Sequence, residues 1–457
     1  MLFNNLAFLF LFLPLTIIAV HLASPRRYRM QILIVASLIF YGLSGLMHAI
    51  VLIGCVIWVF LVVDRFSRAN GDLRALWLAI LGPLAALFYF KYWAFLVRDI
   101  FMLGTYADQQ GFDLFQNIIL PAGISFFSFQ LIAYAIDRYK GIIAKPIGFT
   151  NLLFFISFFP QLVAGPIVRF HQVADGLYNI SRFKLNAEAI TEAAIYLVAG
   201  LAFKVLIADS INHFSGPLVS APESLGTTGL AAVVYSYTFQ IYFDFYGYSL
   251  CAIGLARLFG IQLPSNFLRP YSSLNPQHFW RCWHVSLSNF IRDYMYIPLG
   301  GHERYIRNIF IVFIACGLWH GAGFSFIIWG AYHFALVAGY KLLEKQWNRL
   351  PKTLQCGMNF SLVSFGWLFF VYPIGDFLTA FASVFKAKSD AVPSTDLIVM
   401  TAIAAFICFT VRIEKLVKSI PDLSTPMSCI LSAFSALIAI LVLLFIDRSA
   451  NFIYFRF

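Results

Sequence analysis

Two short motifs contain the strongest candidates of this chain for acid–base chemistry. They occupy residues 279–301 and 317–322, and a largely apolar run separates them. Their charged or imidazole side chains are Arg281, His284, Arg292, Asp293 and His320. Because ionisable groups beside membrane-depth segments are costly and usually have a function, we predict that the reaction centre lies here.

His320 is the first candidate for a catalytic base. It follows Trp319, and the residues around the pair are small: Gly317, Gly321, Ala322 and Gly323. Small residues let a second backbone or a thin substrate approach closely, and an apolar setting favours the neutral imidazole. A neutral imidazole can take a proton from a hydroxyl nucleophile. The alternative is a structural histidine that bonds a helix carbonyl or a neighbouring side chain.

His284 is the second candidate. It follows Trp283, with Arg281 three residues earlier and Ser286 two residues later. Its imidazole could orient a substrate, act as a second acid or base, or contact a ligand that enters from the cytoplasm. The alternative is a histidine at the lipid interface, where aromatic and amphipathic side chains are common.

Four charged residues have both a structural and a binding interpretation. Arg292 and Asp293 are adjacent, so on a helix they would point in different directions and each would need a separate partner. Arg281 and Arg292 could instead bind the phosphates of a nucleotide-like donor. Asp244 lies in an aromatic run, and we expect it either to pair with one of the arginines or to line a water-filled cavity. We favour the pair.

The remaining histidines form no cluster in the sequence, and we predict structural roles for them. They are His21, His48, His171, His213, His278, His302 and His333. The sequence contains no HExxH, GxSxG or P-loop motif, so zinc hydrolases, serine hydrolases and nucleotide-driven motors lose support. The 7 cysteines show no paired spacing, and we predict neither a metal site nor a disulfide framework.

The composition predicts a membrane protein built from helices. Hydrophobic residues make up 61% of the chain and charged residues 12%, against about 25% charged residues in soluble domains. Apolar runs of about 20 residues, the length that crosses a bilayer, recur along the chain. We predict an all-α, polytopic transmembrane bundle of about twelve spans, with both ends outside, formed by a single domain over residues 1–457.

Four stretches depart from simple spans. Near Lys91 we expect a break or half-helix, because a cation there fits the outer side poorly. Asn151–Val168 is interrupted by Phe-Pro and Gly-Pro steps, and we predict a re-entrant or interfacial segment. Asp209–Gly229 contains no lysine or arginine, so an outside loop is expected. Asn275–Gly301 is amphipathic and is predicted to dip into the protein from the cytoplasmic side.

The formal net charge of +11 does not indicate a nucleic-acid partner. The basic residues gather in short loops between apolar runs, as the positive-inside rule expects. We therefore interpret the charge as a sign of membrane topology, and we expect contacts with membrane lipids and none with nucleic acid.

The core motifs lie between residues 117 and 336 and follow one another in a fixed order. They are the segments 123–126, 136–139, 159–169, 242–249, 279–301 and 317–322. Together they resemble the membrane-bound O-acyltransferase (MBOAT) family, and within it the bacterial alginate O-acetyltransferase branch. Three positions depart from that branch, where Cys282 replaces an arginine, Tyr246 a serine and Leu250 an aspartate.

The resemblance implies an O-acetyltransferase of the MBOAT fold, with a central channel, in the bacterial inner membrane. By motif position, the family's essential histidine falls on His320 and its second histidine on His284. The resemblance also implies donor or substrate binding near five further residues: Arg281, Arg292, Asp293, Trp319 and Asp244. Acetyl-CoA or a carrier-linked acyl group would be the co-substrate, with no resident cofactor or metal.

The same resemblance implies two partners and leaves two rival functions. The acceptor would be an exported polysaccharide, alginate or a related exopolysaccharide, and a periplasmic SGNH-type, esterase-like protein would complete the transfer. One rival is a transporter for an acyl or polysaccharide species, with the two histidines as a proton relay. The other is a scaffold for a synthase, in which both histidines are dispensable.

Overall fold

The computed structural model describes residues 2–66, 71–101, 118–163, 165–386, 391–420, 425–448, 450 and 452–453. Over these residues the chain is helical, and extended backbone pairs only in an isolated antiparallel bridge between Phe267 and Trp283. The all-α fold class is confirmed. The helices are α1 (Phe8–Leu22), α2 (Arg29–Gly42), α3 (Leu46–Asp64), α4 (Leu73–Ile100), α5 (Ile124–Tyr139), α6 (Phe149–Ser157), α7 (Phe159–Leu162), α8 (Phe170–Asn179), α9 (Ala187–Val219), α10 (Gly226–Arg257), α11 (Pro276–Cys282), α12 (Val285–Ile291), α13 (Tyr305–His320), α14 (Phe324–Trp347), α15 (Lys352–Gly366), α16 (Ile374–Lys386), α17 (Thr395–Thr410), α18 (Ile413–Ser419) and α19 (Thr425–Phe445).

Six helical segments of the described chain are long and apolar enough to cross a membrane. They are α3, α4, α9, α14, α19 and the segment Lys352–Val371, which contains α15. A bend of 50° joins α17 to α18, and the two would form a seventh span if counted together. The multi-pass character is thereby supported, whereas the predicted number of about twelve spans is not confirmed.

The chain divides into two compact units. The first contains Met1–Ala193 and Ala252–Pro264, and the second contains Ala194–Cys251 and Ser265–Phe457. Both chemistry-bearing motifs lie in the second unit. The interpretation of the whole chain as a single domain stays a prediction.

Two irregular stretches were predicted in the first unit, and their outcomes differ. The break expected near Lys91 is wrong, because α4 is continuous and widens into π-helical turns at Phe88–Tyr92 and Leu96–Ile100. The Lys91 ammonium group lies 3.5 Å from the Ser125 hydroxyl. The interruption within 151–168 is confirmed, since Phe158 takes a ψ of 108° between α6 and α7. Its re-entrant placement stays a prediction.

In the second unit, a buried ion cluster joins α9 to α10. The Lys204 Nζ atom lies 2.7 Å from Asp209 Oδ1 and 2.5 Å from Asp244 Oδ1, and all three side chains are buried. The other Asp244 oxygen accepts a hydrogen bond from the backbone N–H of Ile453 at 2.7 Å. Asp244 therefore has the structural pairing that the sequence favours, but its partner is a lysine and not one of the arginines.

The prediction of an outside loop over Asp209–Gly229 is largely wrong, because the ion pair with Lys204 lets Asp209 lie within a helix. The Lys204 ammonium group neutralises Asp209 within the helix, and α9 continues to Val219.

Two glycines let α9 and α10 cross with their backbones in contact. A Cβ on Gly200 would lie 2.5 Å from the Gly247 carbonyl oxygen, and one on Gly247 would lie 2.6 Å from that of Gly200. Such crossings need glycine on both helices.

A second pair of glycines closes the hairpin of α13 and α14. A Cβ on Gly317 would overlap the carbonyl oxygen of Phe326, and one on Gly330 would overlap that of Phe313. The two helices therefore pack at backbone distance on both sides of their short turn. This packing fixes the position of His320, the last residue of α13.

Replacing Lys204 with methionine should destabilise the protein, because it leaves two buried carboxylates without their cation. Breaking a buried ion pair on one side costs about 3–5 kcal/mol, and we expect a loss of that order in the free energy of unfolding in detergent. Lys341→Met is the matched control, since Lys341 and its partner Glu344 are 52% and 41% exposed. Equal stability of the two variants would contradict the role given to the cluster.

Candidate active site

The first motif folds into two short helices that meet at a sharp corner. His284 connects α11 to α12 with φ 44° and ψ 55°, a left-handed conformation that few non-glycine residues adopt, although histidine is among those enriched there. Asn266 holds the corner, since its backbone oxygen accepts from the Val285 N–H at 3.0 Å and its side-chain oxygen from the Ser286 N–H at 3.3 Å. The amphipathic segment expected here is thus a helix–corner–helix with a buried imidazole.

Aromatic rings surround the imidazole of His284. The Phe245 ring lies 4.7 Å away, nearly perpendicular, and the Trp319 ring 5.8 Å away. The Ser286 hydroxyl is 3.5 Å from Nδ1. Complete burial lowers the pKa of His284 to about 3, so the side chain is neutral at physiological pH. A neutral imidazole there can donate or accept a hydrogen bond.

His320 ends α13 within an apolar pocket of rings. Its side chain is buried, and its ring centroid lies 4.9 Å from Trp319, 4.9 Å from Trp329 and 5.3 Å from Phe370. The apolar setting expected from the sequence is therefore present. Since Trp319 contacts both imidazoles, the structure brings the two predicted histidines to one indole.

A cavity of about 500 Å³ lies beside the first motif. Its polar lining includes Gln277, Arg281, Arg292, Tyr296, His302 and Tyr305. The wall on α13 includes Phe313 and Cys316. Cys316 precedes His320 by four residues, which is about 6 Å along a helix axis. The cavity therefore reaches to within about one helical turn of His320.

Arg292 and Asp293 pair with each other, whereas the sequence analysis expected each of them to need a separate partner. Arg292 donates two hydrogen bonds to the Asp293 carboxylate, from Nε at 2.6 Å and from an Nη at 3.1 Å. The prediction assumed α-helical geometry, whereas the backbone here forms a wide π-helical turn. Arg292 still lines the cavity, and the hydrogen bond to Asp293 raises its pKa, so it stays positively charged.

Asp244 has a supporting place in the site. Its carboxylate is engaged by Lys204, while the next residue, Phe245, packs on His284. Phe452 in turn packs on Phe245 at 5.9 Å. Asp244 therefore holds α10 in place, and α10 supplies the Phe245 ring that packs on His284. Within the described residues, no group of three or more histidine, cysteine or acidic side chains is placed to hold a metal ion.

Sequence reasoning missed His333. We predicted only a structural role for it, yet it is fully buried and its ring lies 4.8 Å from Trp329 and 5.1 Å from Trp280. One signal was present, because His333 follows Trp329 by four residues and therefore shares its helix face. The sequence alone could not connect this spacing with the site, because the contact between Trp329 and His320 depends on the α13–α14 hairpin.

Comparison with known proteins identifies the class. Residues 138–374, about half of the chain, match the model of the membrane-bound O-acyltransferase (MBOAT) family. This chain belongs to that family and is a membrane-bound, multi-pass O-acyltransferase. The family assignment confirms the resemblance seen in the motifs and leaves the transporter and scaffold interpretations without support.

The relatives act on different polymers, as their names state. The chain is 35% identical over 382 residues to the probable alginate O-acetylase AlgI of Pseudomonas aeruginosa, covering 81% of this chain and 72% of that protein. It is 33% identical over 411 residues to the peptidoglycan O-acetyltransferase of Helicobacter pylori, covering 81% and 77%. It is 27% identical over 390 residues to the teichoic acid D-alanyltransferase of Bacillus subtilis, covering 79% and 94%.

Acidification should weaken the fold through His284. Its pKa in the folded protein, about 3, lies below the ordinary 6.5, so the unfolded chain binds the proton more readily. Stability is therefore complete above pH 6.5 and declines as the pH falls towards 3. Between pH 6.5 and 5, the titration of this residue should lower the free energy of unfolding, measured in detergent, by up to about 2 kcal/mol.

His284→Asn should flatten this pH dependence of stability relative to the wild type. His213→Asn is the control, because His213 is exposed and its replacement should leave the dependence unchanged. Parallel curves for wild type and His284→Asn would show that the buried imidazole does not set the slope.

Proposed function

We propose that this protein transfers an acetyl group from a thioester donor towards hydroxyl groups of an exported polysaccharide, alginate or a related exopolysaccharide. The observation that carries the proposal is the cavity with exposed arginines that reaches to within about one helical turn of His320. The names of the relatives support acetyl transfer to a polymer.

The cavity is suited to the donor. Its volume of about 500 Å³ falls within the range of small-molecule sites, about 300–1,000 Å³. Arg281 and Arg292 line it, and guanidinium groups bind phosphate oxygens with paired hydrogen bonds. Acetyl-CoA, or an acyl group on a phosphopantetheine-bearing carrier, has the required phosphates and thioester. Because basic loops mark the cytoplasmic side, we place donor entry there.

His320 serves as the general base. It takes the proton of the acceptor hydroxyl as that oxygen attacks the thioester carbonyl carbon. The carbon–sulfur bond then breaks, and the thiolate receives the proton, which leaves an ester and a free thiol. General-base catalysis of this kind contributes about 10²–10⁴-fold in rate. His284, neutral and in contact with Trp319, orients the indole beside His320.

The proposal places the enzyme in the bacterial inner membrane, with about twelve crossings around a central channel. α10 supports further crossings beyond the six apolar segments, because its 32 residues extend about 48 Å, longer than a bilayer core. A periplasmic SGNH-type partner would pass the acetyl group to the polymer. Recovery of label on polymer in membranes stripped of periplasmic protein would contradict the need for that partner.

His320→Ala should lower acetyl transfer by about 10²–10⁴-fold while leaving the protein folded. The assay uses inverted membrane vesicles that are formed around a periplasmic extract at matched expression and then receive radiolabelled acetyl-CoA on the outside. It follows label into membrane-retained and polymer fractions. His213→Ala is the control, since that exposed histidine should be dispensable. Near-wild-type transfer by His320→Ala would remove its role as base, and an inactive wild type would remove the acetyl-transfer proposal.

Arg281→Gln should weaken donor binding. We expect KM for acetyl-CoA to rise about tenfold, the equivalent of one hydrogen bond to a charged group, with a smaller effect of added salt on KM than in the wild type. Arg349→Gln is the matched control, because Arg349 is exposed and does not line the cavity. If both variants kept the wild-type KM, the cavity would not be the donor site.

A further inference from the structure

Three mutually packed aromatic rings, one of which contacts His320, contain buried ring nitrogens without a hydrogen-bond partner among the protein groups described. These nitrogens are the indole Nε1 atoms of Trp280 and Trp329 and both ring nitrogens of His333. The three ring centroids lie 4.8, 5.1 and 5.6 Å apart. We call this set the indole–imidazole cluster. Nearly all buried polar groups in proteins are hydrogen-bonded, so several such groups in one place indicate a ligand.

The chemistry of the cluster indicates which kind of ligand. An indole N–H can only donate a hydrogen bond, and a neutral imidazole has one donor and one acceptor. The cluster therefore offers three donors against one acceptor. A carbonyl oxygen, and more so the oxyanion that forms on attack at a carbonyl, is a pure acceptor and matches this imbalance.

The position of the cluster is equally specific. Trp280 lines the 500 Å³ cavity, and the Trp329 ring lies 4.9 Å from His320. The cluster thus connects the wall of the donor cavity to the candidate base. Gly366 packs closely against His333, since a Cβ there would lie only 3.1 Å from its Nε2 atom.

We propose that Trp280, Trp329 and His333 form the pocket for the acyl carbonyl of the donor thioester, an inference that rests on the proposed function. As the acceptor oxygen bonds to the carbonyl carbon, the carbonyl π electrons move onto its oxygen, and the N–H groups stabilise that oxyanion. When the oxyanion collapses, the C=O bond re-forms, the C–S bond breaks, and the thiolate leaves with the proton that His320 removed from the acceptor.

His333→Phe and His333→Gln test the pocket through kinetics. Phenylalanine keeps the ring but removes the donor, and loss of one oxyanion donor costs about 10²–10³-fold in kcat. We expect that loss together with a rise of at most about tenfold in KM for acetyl-CoA, because the bound carbonyl also loses a hydrogen bond. Glutamine, which retains an N–H, should recover at least about tenfold of the lost kcat. Wild-type kcat in His333→Phe, or equal losses in the two variants, would overturn the assignment.

Trp280→Phe provides a second test if the His333 variants fail to fold. Trp280 is only partly buried, so its replacement should disturb the fold less. It should lower kcat at least about tenfold, and Trp77→Phe, on an exposed tryptophan, should have no effect. An unchanged kcat in Trp280→Phe would remove it from the pocket.

Binding of two unreactive donor analogues separates this inference from the proposed function. S-acetonyl-CoA carries a ketone near the thioester position, and S-propyl-CoA has a methylene group in place of that ketone. The wild type and His320→Ala should prefer the ketone about tenfold, the worth of one or two net hydrogen bonds, and His333→Phe should lose that preference. Equal affinities for the two analogues in an active wild type would overturn the pocket alone, whereas an inactive wild type would overturn the proposed function.

Discussion

A lysine held between two carboxylates in an apolar interior is the interaction on which the second unit depends. Lys204 binds Asp209 on its own helix and Asp244 on the next, so the charges that would oppose burial of α9 and α10 instead join them. Reciprocal glycines at the crossing bring the two backbones together. Once α10 is fixed, Phe245 is fixed as well, and Phe245 is the ring on which His284 packs.

The candidate site holds polar groups in an apolar interior. Its two candidate histidines lie against rings, and contact with Trp319 is common to both. Such surroundings keep an imidazole neutral, which is the state that accepts a proton. The glycine hairpin of α13 and α14 and the Asn266-held corner at His284 supply the rigidity that a general base requires.

Much of this arrangement could be predicted from the sequence, because its signals are local. The two motifs were assigned to one reaction centre, and the structure brings them together at Trp319. The interruption near Phe158 agrees with the proline two residues later. Contacts between distant residues were not predictable. Lys204 and Asp244 are 40 residues apart, and their pairing depends on a helix crossing that no periodicity encodes. The length of α9 was missed for the same reason, because Asp209 reads as a loop residue until its cation is known.

Other misses have equally physical causes. Adjacent residues on a regular helix diverge, but a wide turn lets Arg292 reach Asp293. His333 stands in an ordinary apolar helix, and its relation to His320 exists only through Trp329. The donor cavity combines side chains of α11, α12, α13 and α14, so its volume and lining depend on packing and could not be read from any one segment.

The hydrogen bond from Ile453 to Asp244 has a consequence for how the protein is made. Its donor and acceptor residues are 209 residues apart in the chain. α10 is therefore synthesised long before Ile453, whose backbone N–H donates to Asp244. Until then Lys204 is the described partner of the Asp244 carboxylate. This cluster is therefore completed late, and a chain cut after α19 would keep all six apolar membrane segments but lack the backbone donor to Asp244.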